Sequence, residues 1–180
     1  MLRSSLCFAV ALAAAPIAAN AALAVGADAP DFSTQVSLAG KAMPFSLKQA
    51  LKKGPVVLYF YPAAFTPGCT IEAHDFAEAT DDFKKMGATV IGMSGDDIEK
   101  LNKFSVSDCR NKFAVGSATP ATITAYDVTL PRNPAISNRT SYVIAPDGKV
   151  VFVHSAMDPA GHVTGTMDAV KAWVAQHRKG

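Results

Sequence analysis

The sequence lacks a pronounced charge of either sign: 17 basic against 15 acidic side chains leave a net +2. That excludes the broad basic field expected of a nucleic-acid binder or of a protein held on an anionic membrane. Arginine-rich runs and aromatic-basic interleaving are missing too. There is no His-Glu-x-x-His, no Cys-x-x-Cys, and no metal-ligand spacing among the four histidines. No metal and no cofactor is therefore expected. No segment repeats another, which removes solenoids and propellers. An apolar run of the roughly 20 residues needed to span a bilayer is absent as well: Leu6 to Ala19 is shorter and is broken by Pro16.

That short run has another reading. Arg3 precedes it, and Ala19-Asn20-Ala21 follows as a small-x-small cleavage site. Residues 1–21 are expected to be a cleaved signal peptide, with Ala22 starting a single domain over 22–180 that no longer engages a membrane. Export, with the bacterial periplasm as destination, removes Cys7 and leaves two cysteines, Cys69 and Cys109. In an oxidising compartment such a pair most often forms a structural disulfide. Against that stands the local sequence around each cysteine.

With 180 residues, 49% hydrophobic and 18% charged, the chain suits one folded core. Phe32 to Leu38 reads as a strand turned by Gly40, and Ser46 to Lys53 as a short helix stopped by Gly54-Pro55. Val56 to Tyr61 is a continuous apolar run, fitting a strand buried on both faces. Cys69, Ala73, Phe76, Phe83 and Met86 share one face of the next helix, which Gly87 ends. Ala88 to Met93 forms a second buried strand. Ser94-Gly95-Asp96-Asp97 resembles a capping box opening a helix whose Ile98, Leu101, Ser105 and Cys109 share a face. Thr140–Ala145 and Lys149–His154 flank Pro146-Asp147-Gly148 as a hairpin. Asp158-Pro159 is expected to cap a last helix striped by Val163, Met167, Val170 and Val174. Parallel strands with helical crossovers, then an antiparallel hairpin and a helix, make an α/β fold of thioredoxin-like order, a central mixed sheet flanked by helices.

The segment Pro62-Ala63-Ala64-Phe65-Thr66-Pro67-Gly68-Cys69 lies where the first buried strand ends and a helix begins, the end of an α/β sheet at which ligands bind. Thr66 suits the N-cap and Pro67 the first helical position. Cys69 then sits among unpaired N–H groups at the positive end of a helix dipole, a place that favours thiolate. Complete ionisation of an ordinary thiol gains roughly thirtyfold at neutral pH, about 2 kcal/mol, beside the ~8 kcal/mol or more of typical enzymes. The remainder has to come from aligning the reacting bond and stabilising charge on the departing oxygen.

Pro62-x-x-x-Thr66-x-x-Cys69 resembles the peroxidatic-cysteine motif of the peroxiredoxins. The longer string Phe60-Tyr61-Pro62 to Thr66-Pro67-Gly68-Cys69-Thr70 is similar to the PrxQ, or bacterioferritin-comigratory, branch. The resemblance continues through Glu72, Gly92-Met93-Ser94 and Asn138-Arg139-Thr140-Ser141-Tyr142-Val143-Ile144, and so covers most of the mature chain. It implies an antioxidant thiol peroxidase acting on hydrogen peroxide and organic hydroperoxides. In the roles that the resemblance implies, Cys69 attacks the peroxide and becomes a sulfenic acid. The Thr66 hydroxyl and the backbone N–H groups of Gly68 and Cys69 hold the peroxide oxygens. Arg139 holds the thiolate and transition state, Pro62 shields the sulfur, and Glu72 orients Arg139. The resemblance also implies a monomer, and export points to a thioredoxin-like or glutaredoxin-like reductant outside the cytosol. Each residue has a plainer reading: Thr66 an N-cap, Glu72 a complement to the helix dipole, Pro62 a strand end, Arg139 a surface residue.

The sequence departs from the branch in one respect. Many members place a resolving cysteine five residues after the peroxidatic one, where this chain has His74. Either Cys109 resolves the sulfenic acid as a Cys69–Cys109 disulfide, or an outside thiol does. Arg110 and Lys112 flank Cys109 and favour reactivity; a buried free thiol is the alternative. Rival activities remain on the same fold. A thiol-disulfide oxidoreductase needs a second cysteine where Thr66 or Glu72 stands, and a copper-binding assembly factor needs one at Ala73. A non-catalytic binding or chaperone module would leave Cys69 idle.

Overall fold

The computed structural model describes residues 22–177. The expected signal segment and its cleavage site lie outside the described residues. In chain order the elements are β1 (Ser33–Leu38), β2 (Lys41–Ser46), α1 (Leu47–Leu51), β3 (Val56–Phe60), α2 (Pro67–Lys85), β4 (Thr89–Ser94) and α3 (Ile98–Ser107). There follow β5 (Ala114–Ser117), α4 (Pro120–Ala125), β6 (Thr129–Leu130), β7 (Asn133–Ser137), β8 (Thr140–Ile144), β9 (Val150–Ser155) and α5 (His162–His177). Seven strands form one mixed sheet in the order β2-β1-β5-β4-β3-β8-β9, while β6 and β7 make a separate ribbon. β3, β4 and β5 run parallel, and β8 joins β3 antiparallel.

β3 lies inside the sheet between β4 and β8, and every one of its side chains is buried. Its pleat divides them: Val57 and Tyr59 enter one core with Phe76 and Phe83 of α2, Phe104 of α3 and Val170 of α5. Val56, Leu58 and Phe60 enter the other with Leu47 of α1, Ile123 of α4 and Tyr142. Alternation with a period of two thus splits a continuous apolar run between two layers.

Three sequence expectations need correction. Ser94 closes β4 and is not a cap; Asp97 caps α3, its carboxylate accepting from Lys100 N at 2.8 Å. Cys109 is not on α3 but just past its C-cap, Asp108, with Arg110 and Asn111 next in left-handed backbone (φ +49° and +59°). Asp158-Pro159 belongs to a turn in which the Asp158 carboxylate accepts from Ala160 N, and α5 starts only at His162. The side chains of α5 buried deepest are His162, Thr166 and Val170, a face with two polar members.

Candidate active site

Cys69 is the third residue of α2, immediately beyond the connection that leaves β3. That connection is fastened at several points. Tyr61 N donates to Met93 O at 3.0 Å and Ser137 Oγ donates to Tyr61 O at 2.9 Å. Ala64 N donates to Asp96 Oδ2 at 2.7 Å, a carboxylate that also accepts from Ser94 Oγ at 2.8 Å and pairs with Lys100 Nζ at 2.6 Å. Between these ties Phe65 adopts φ +68°, a left-handed conformation costly for an aromatic residue. Its ring lies edge-on to Phe104 at 5.2 Å and is 47% exposed. Strain of this kind persists where the surroundings fix the chain, which functional loops commonly do.

Thr66 occupies the N-cap position, but its side chain does not cap the helix. The hydroxyl donates backward to Ala63 O at 3.0 Å. The first-turn N–H groups therefore receive no side-chain oxygen from their own cap. Gly68 has a steric reason as well as a backbone one: a Cβ there would meet Arg139 Nη2 at 3.0 Å. Pro62 begins the fastened loop at the end of β3.

Arg139 arrives from the bend between β7 and β8 and is 4% exposed. Its three nitrogens are all engaged. Nη2 donates to Cys69 Sγ at 3.5 Å, Nε donates to Met157 O at 3.0 Å, and Nη1 pairs with Glu72 Oε2. Both side chains are buried, which rules out a surface place for Arg139. Burial pushes the Glu72 carboxyl up to about 8 even though the Arg139 guanidinium pulls the other way.

Behind Glu72 stands His162, a member of the site that sequence reasoning missed. Its Nδ1 lies 3.5 Å from Glu72 Oε1 and 2.8 Å from Ser141 Oγ; its Nε2 lies 3.0 Å from Ala156 O. Burial pushes this imidazole down to about 4. Asp96 was also missed as a loop anchor, being read only as part of a cap. A histidine on the buried face of α5 is a visible signal, since nothing apolar explains it.

Cys109 is fully buried in the same core as Cys69, beside Tyr59 and Tyr61, and both cysteines are free thiols. Burial and the Asp108 carboxylate push the Cys109 thiol far above its ordinary value. His74 is half-exposed and approaches Asp108 Oδ1 at 4.0 Å.

A buried cysteine at a helix mouth, touched by a buried guanidinium, makes a candidate site, and likeness to known proteins gives the family of the chain. Residues 25–153 match the model of the AhpC/TSA family. The chain belongs to the AhpC/TSA family. It is 31% identical over 126 residues to peroxiredoxin Bcp of Xanthomonas campestris pv. campestris, covering 67% of this chain and 79% of that one. It is 34% identical over 157 residues to the chloroplastic peroxiredoxin Q of Oryza sativa subsp. japonica, covering 82% and 66%. The chain spans just under two thirds of the rice protein's length. The crystal structure of peroxidoxin BcpB from Mycobacterium tuberculosis superposes with a TM-score of 0.74 at 32% identity, covering 82% of this chain and 96% of that one. Mycobacterium tuberculosis AhpC, at 17% identity and a TM-score of 0.76, shares the fold. The mixed sheet flanked by helices is thus the thioredoxin-like architecture of this AhpC/TSA protein's structural relatives.

Proposed function

We propose that this AhpC/TSA protein is a thiol-dependent peroxidase that reduces hydrogen peroxide and organic hydroperoxides through Cys69. The observation that carries the reading is the 3.5 Å contact between Arg139 Nη2 and Cys69 Sγ at the mouth of α2. A guanidinium at that distance favours a thiolate and can stabilise charge developing on a peroxide oxygen at the sulfur. The Cys69 thiolate attacks one peroxide oxygen, a S–O bond forms, the O–O bond breaks, and the second oxygen leaves as water or an alcohol after taking a proton. Arg139 and the N–H groups of Gly68 and Cys69 stabilise charge on the oxygens in flight. The Thr66 hydroxyl turns from Ala63 O to the peroxide, Pro62 limits access of water to the sulfur, and Glu72 holds Arg139 in place.

Cys109 then attacks the Cys69 sulfenic acid, expels water and leaves a disulfide that a thioredoxin-like or glutaredoxin-like thiol reductant reopens. Its burial supports a gated step: the thiol is inert where it lies and reacts once the segment after α3 has opened. The protein acts as a monomer, exported to the bacterial periplasm after removal of residues 1–21, with 22–180 as its single domain.

Peroxide consumption by three purified forms tests the reading. Cys69→Ser is expected to be inactive. Cys109→Ser is expected to consume one equivalent and to accumulate sulfenic acid at Cys69. Consumption by Cys69→Ser equal to that of the unaltered protein overturns the reading.

A further inference from the structure

The reaction just described needs a proton for the departing oxygen, and the buried cluster behind Cys69 contains an unassigned place for one. Glu72 Oε1 has no hydrogen-bond partner among the described residues, although its carboxylate is wholly buried. The atom it faces is His162 Nδ1, at 3.5 Å. The orientation of that ring is fixed at its other end: Nε2 faces the carbonyl of Ala156 at 3.0 Å and must carry hydrogen to make that contact favourable. Neutral His162 therefore turns a bare nitrogen toward an unpartnered carboxylate oxygen. Ser141 Oγ, 2.8 Å from Nδ1, donates to the bare nitrogen and can rotate to accept from a protonated one.

We infer that Glu72 and His162 together hold one proton while Cys69 is a thiolate and give it up when the sulfur becomes a sulfenic acid. This rests on the assignment of Cys69 as the attacking residue. Charge in a buried site decides the matter. A thiolate, the Arg139 guanidinium and an ionised Glu72 sum to one negative charge; a proton on the Glu72–His162 pair brings the sum to zero. After oxidation the sulfur is neutral. Arg139 and an ionised Glu72 then balance only without that proton. The step balances as thiolate plus peroxide plus the pair's proton giving sulfenic acid plus water or alcohol. Sulfur loses two electrons, the O–O bond gains them, and the protein exchanges no net proton with solvent.

The groups facing the pair agree with this. Arg139 comes from the β7–β8 bend, Cys69 and Asp75 from α2, Tyr59 from β3, His154 from β9 and Asp158 from the turn before α5. Burial raises Glu72 to about 8, and burial with His154 and Arg139 lowers His162 to about 4, so the carboxyl holds the shared proton in preference to the imidazole. His154 meets the His162 ring edge-on at 4.5 Å, which opposes an imidazolium there. His162 is thus a positioning residue that acts through Glu72 and never touches the peroxide.

The test is the proton balance of a single oxidation. Reduced Cys109→Ser protein, in weak buffer with an indicator dye near neutral pH, receives one equivalent of hydrogen peroxide. The ultraviolet thiolate band verifies the starting state, and dimedone labelling verifies the sulfenic acid. Near-zero proton uptake per oxidised Cys69 is expected. The same protein carrying Glu72→Gln, which cannot release a proton, should take up close to one. Uptake of one proton in both, or of none in both with the thiolate band present, overturns the inference. Should Glu72→Gln fail to fold, carbon-13 and nitrogen-15 spectra of the Glu72 carboxyl and the His162 ring replace it. A proton resonating on either group before oxidation and lost after it supports the inference; identical spectra in the two redox states overturn it. Absence of any Cys69 oxidation is a separate result, which removes the underlying peroxidase reading.

Discussion

Thr70 Oγ1 donates to Asp108 Oδ1 at 2.7 Å, a bond that ties the residue after Cys69 to the residue before Cys109. Ser107 Oγ holds the other oxygen of the same carboxylate at 2.5 Å. The latch keeps Cys109 buried, whereas a disulfide requires the two Cβ atoms to come within about 4.5 Å in a restricted geometry. Thr70→Val keeps the shape and removes the donor. A hydrogen bond to a charged acceptor contributes about 1.5–3 kcal/mol when well screened from water, and this one is partly solvated. Conversion of sulfenic acid to the Cys69–Cys109 disulfide should accelerate up to about tenfold, the equivalent of ~1.4 kcal/mol. Rapid quenching with alkylation and mass analysis measures it; an unchanged rate means the bond does not restrain Cys109.

The close approach of Gly68 to Arg139 predicts a separation of stability from activity. Alanine gains about 0.5–1 kcal/mol over glycine inside a helix, and here its methyl would press on the tip of a long side chain. Gly68→Ala should therefore keep a urea-unfolding free energy within about 1 kcal/mol of the parent. Its rate of oxidation by peroxide should fall about tenfold or more, as a displaced guanidinium no longer meets the sulfur.

Arg139 and Glu72 form a buried pair, and breaking it from one side leaves a charge without a partner. Such losses reach about 3–5 kcal/mol. Arg139→Met removes the guanidinium that pulls the Glu72 carboxyl down, so its stability should fall from pH 5 to pH 8 and, unlike that of the parent, keep falling above pH 8. The sign follows from the raised value of about 8. Between the ordinary carboxylate range and 8 the folded state binds the extra proton, so the contribution of Glu72 to stability diminishes as pH rises. Adding Glu72→Gln to Arg139→Met should restore most of the stability at pH 8 without restoring peroxide reactivity. Urea unfolding at pH 5, at pH 8 and above it, with stopped-flow oxidation alongside, checks both halves.

Much of this arrangement is legible in the amino-acid sequence. The two-faced burial of Val56 to Phe60, the start of α2 at Pro67 and the hairpin around Pro146-Asp147-Gly148 follow from local pattern and turn chemistry. Cys69, Arg139 and Glu72 are named by the motif resemblance, and the fold brings them into contact across 67 to 70 residues of sequence. Other features depend on partners far away in the chain. Among the described residues β2 pairs only with β1, and it holds no buried residue, so its exposed Lys41 to Pro44 carry no strand signal. β5 is a four-residue strand recognised by its neighbours β4 and β1 rather than by its own length. His162 looks like one polar interruption of an apolar stripe; its meaning appears only when Glu72 of another helix is placed against it. Asp96 and Asp108 resemble ordinary helix-end acids until the loop and helix they tether are seen.

On the proposed function, the setting of Cys69, and no intrinsic property of thiols, directs peroxide to that sulfur. Substoichiometric hydrogen peroxide given to the reduced protein, followed by dimedone labelling and peptide mapping, tests it most directly. All label and all first-formed disulfide should involve Cys69, with Cys109 and the methionines unmodified until Cys69 is consumed. Oxidation distributed between Cys69, Cys109 and exposed Met43 or Met157 in proportion to their accessibility would contradict it.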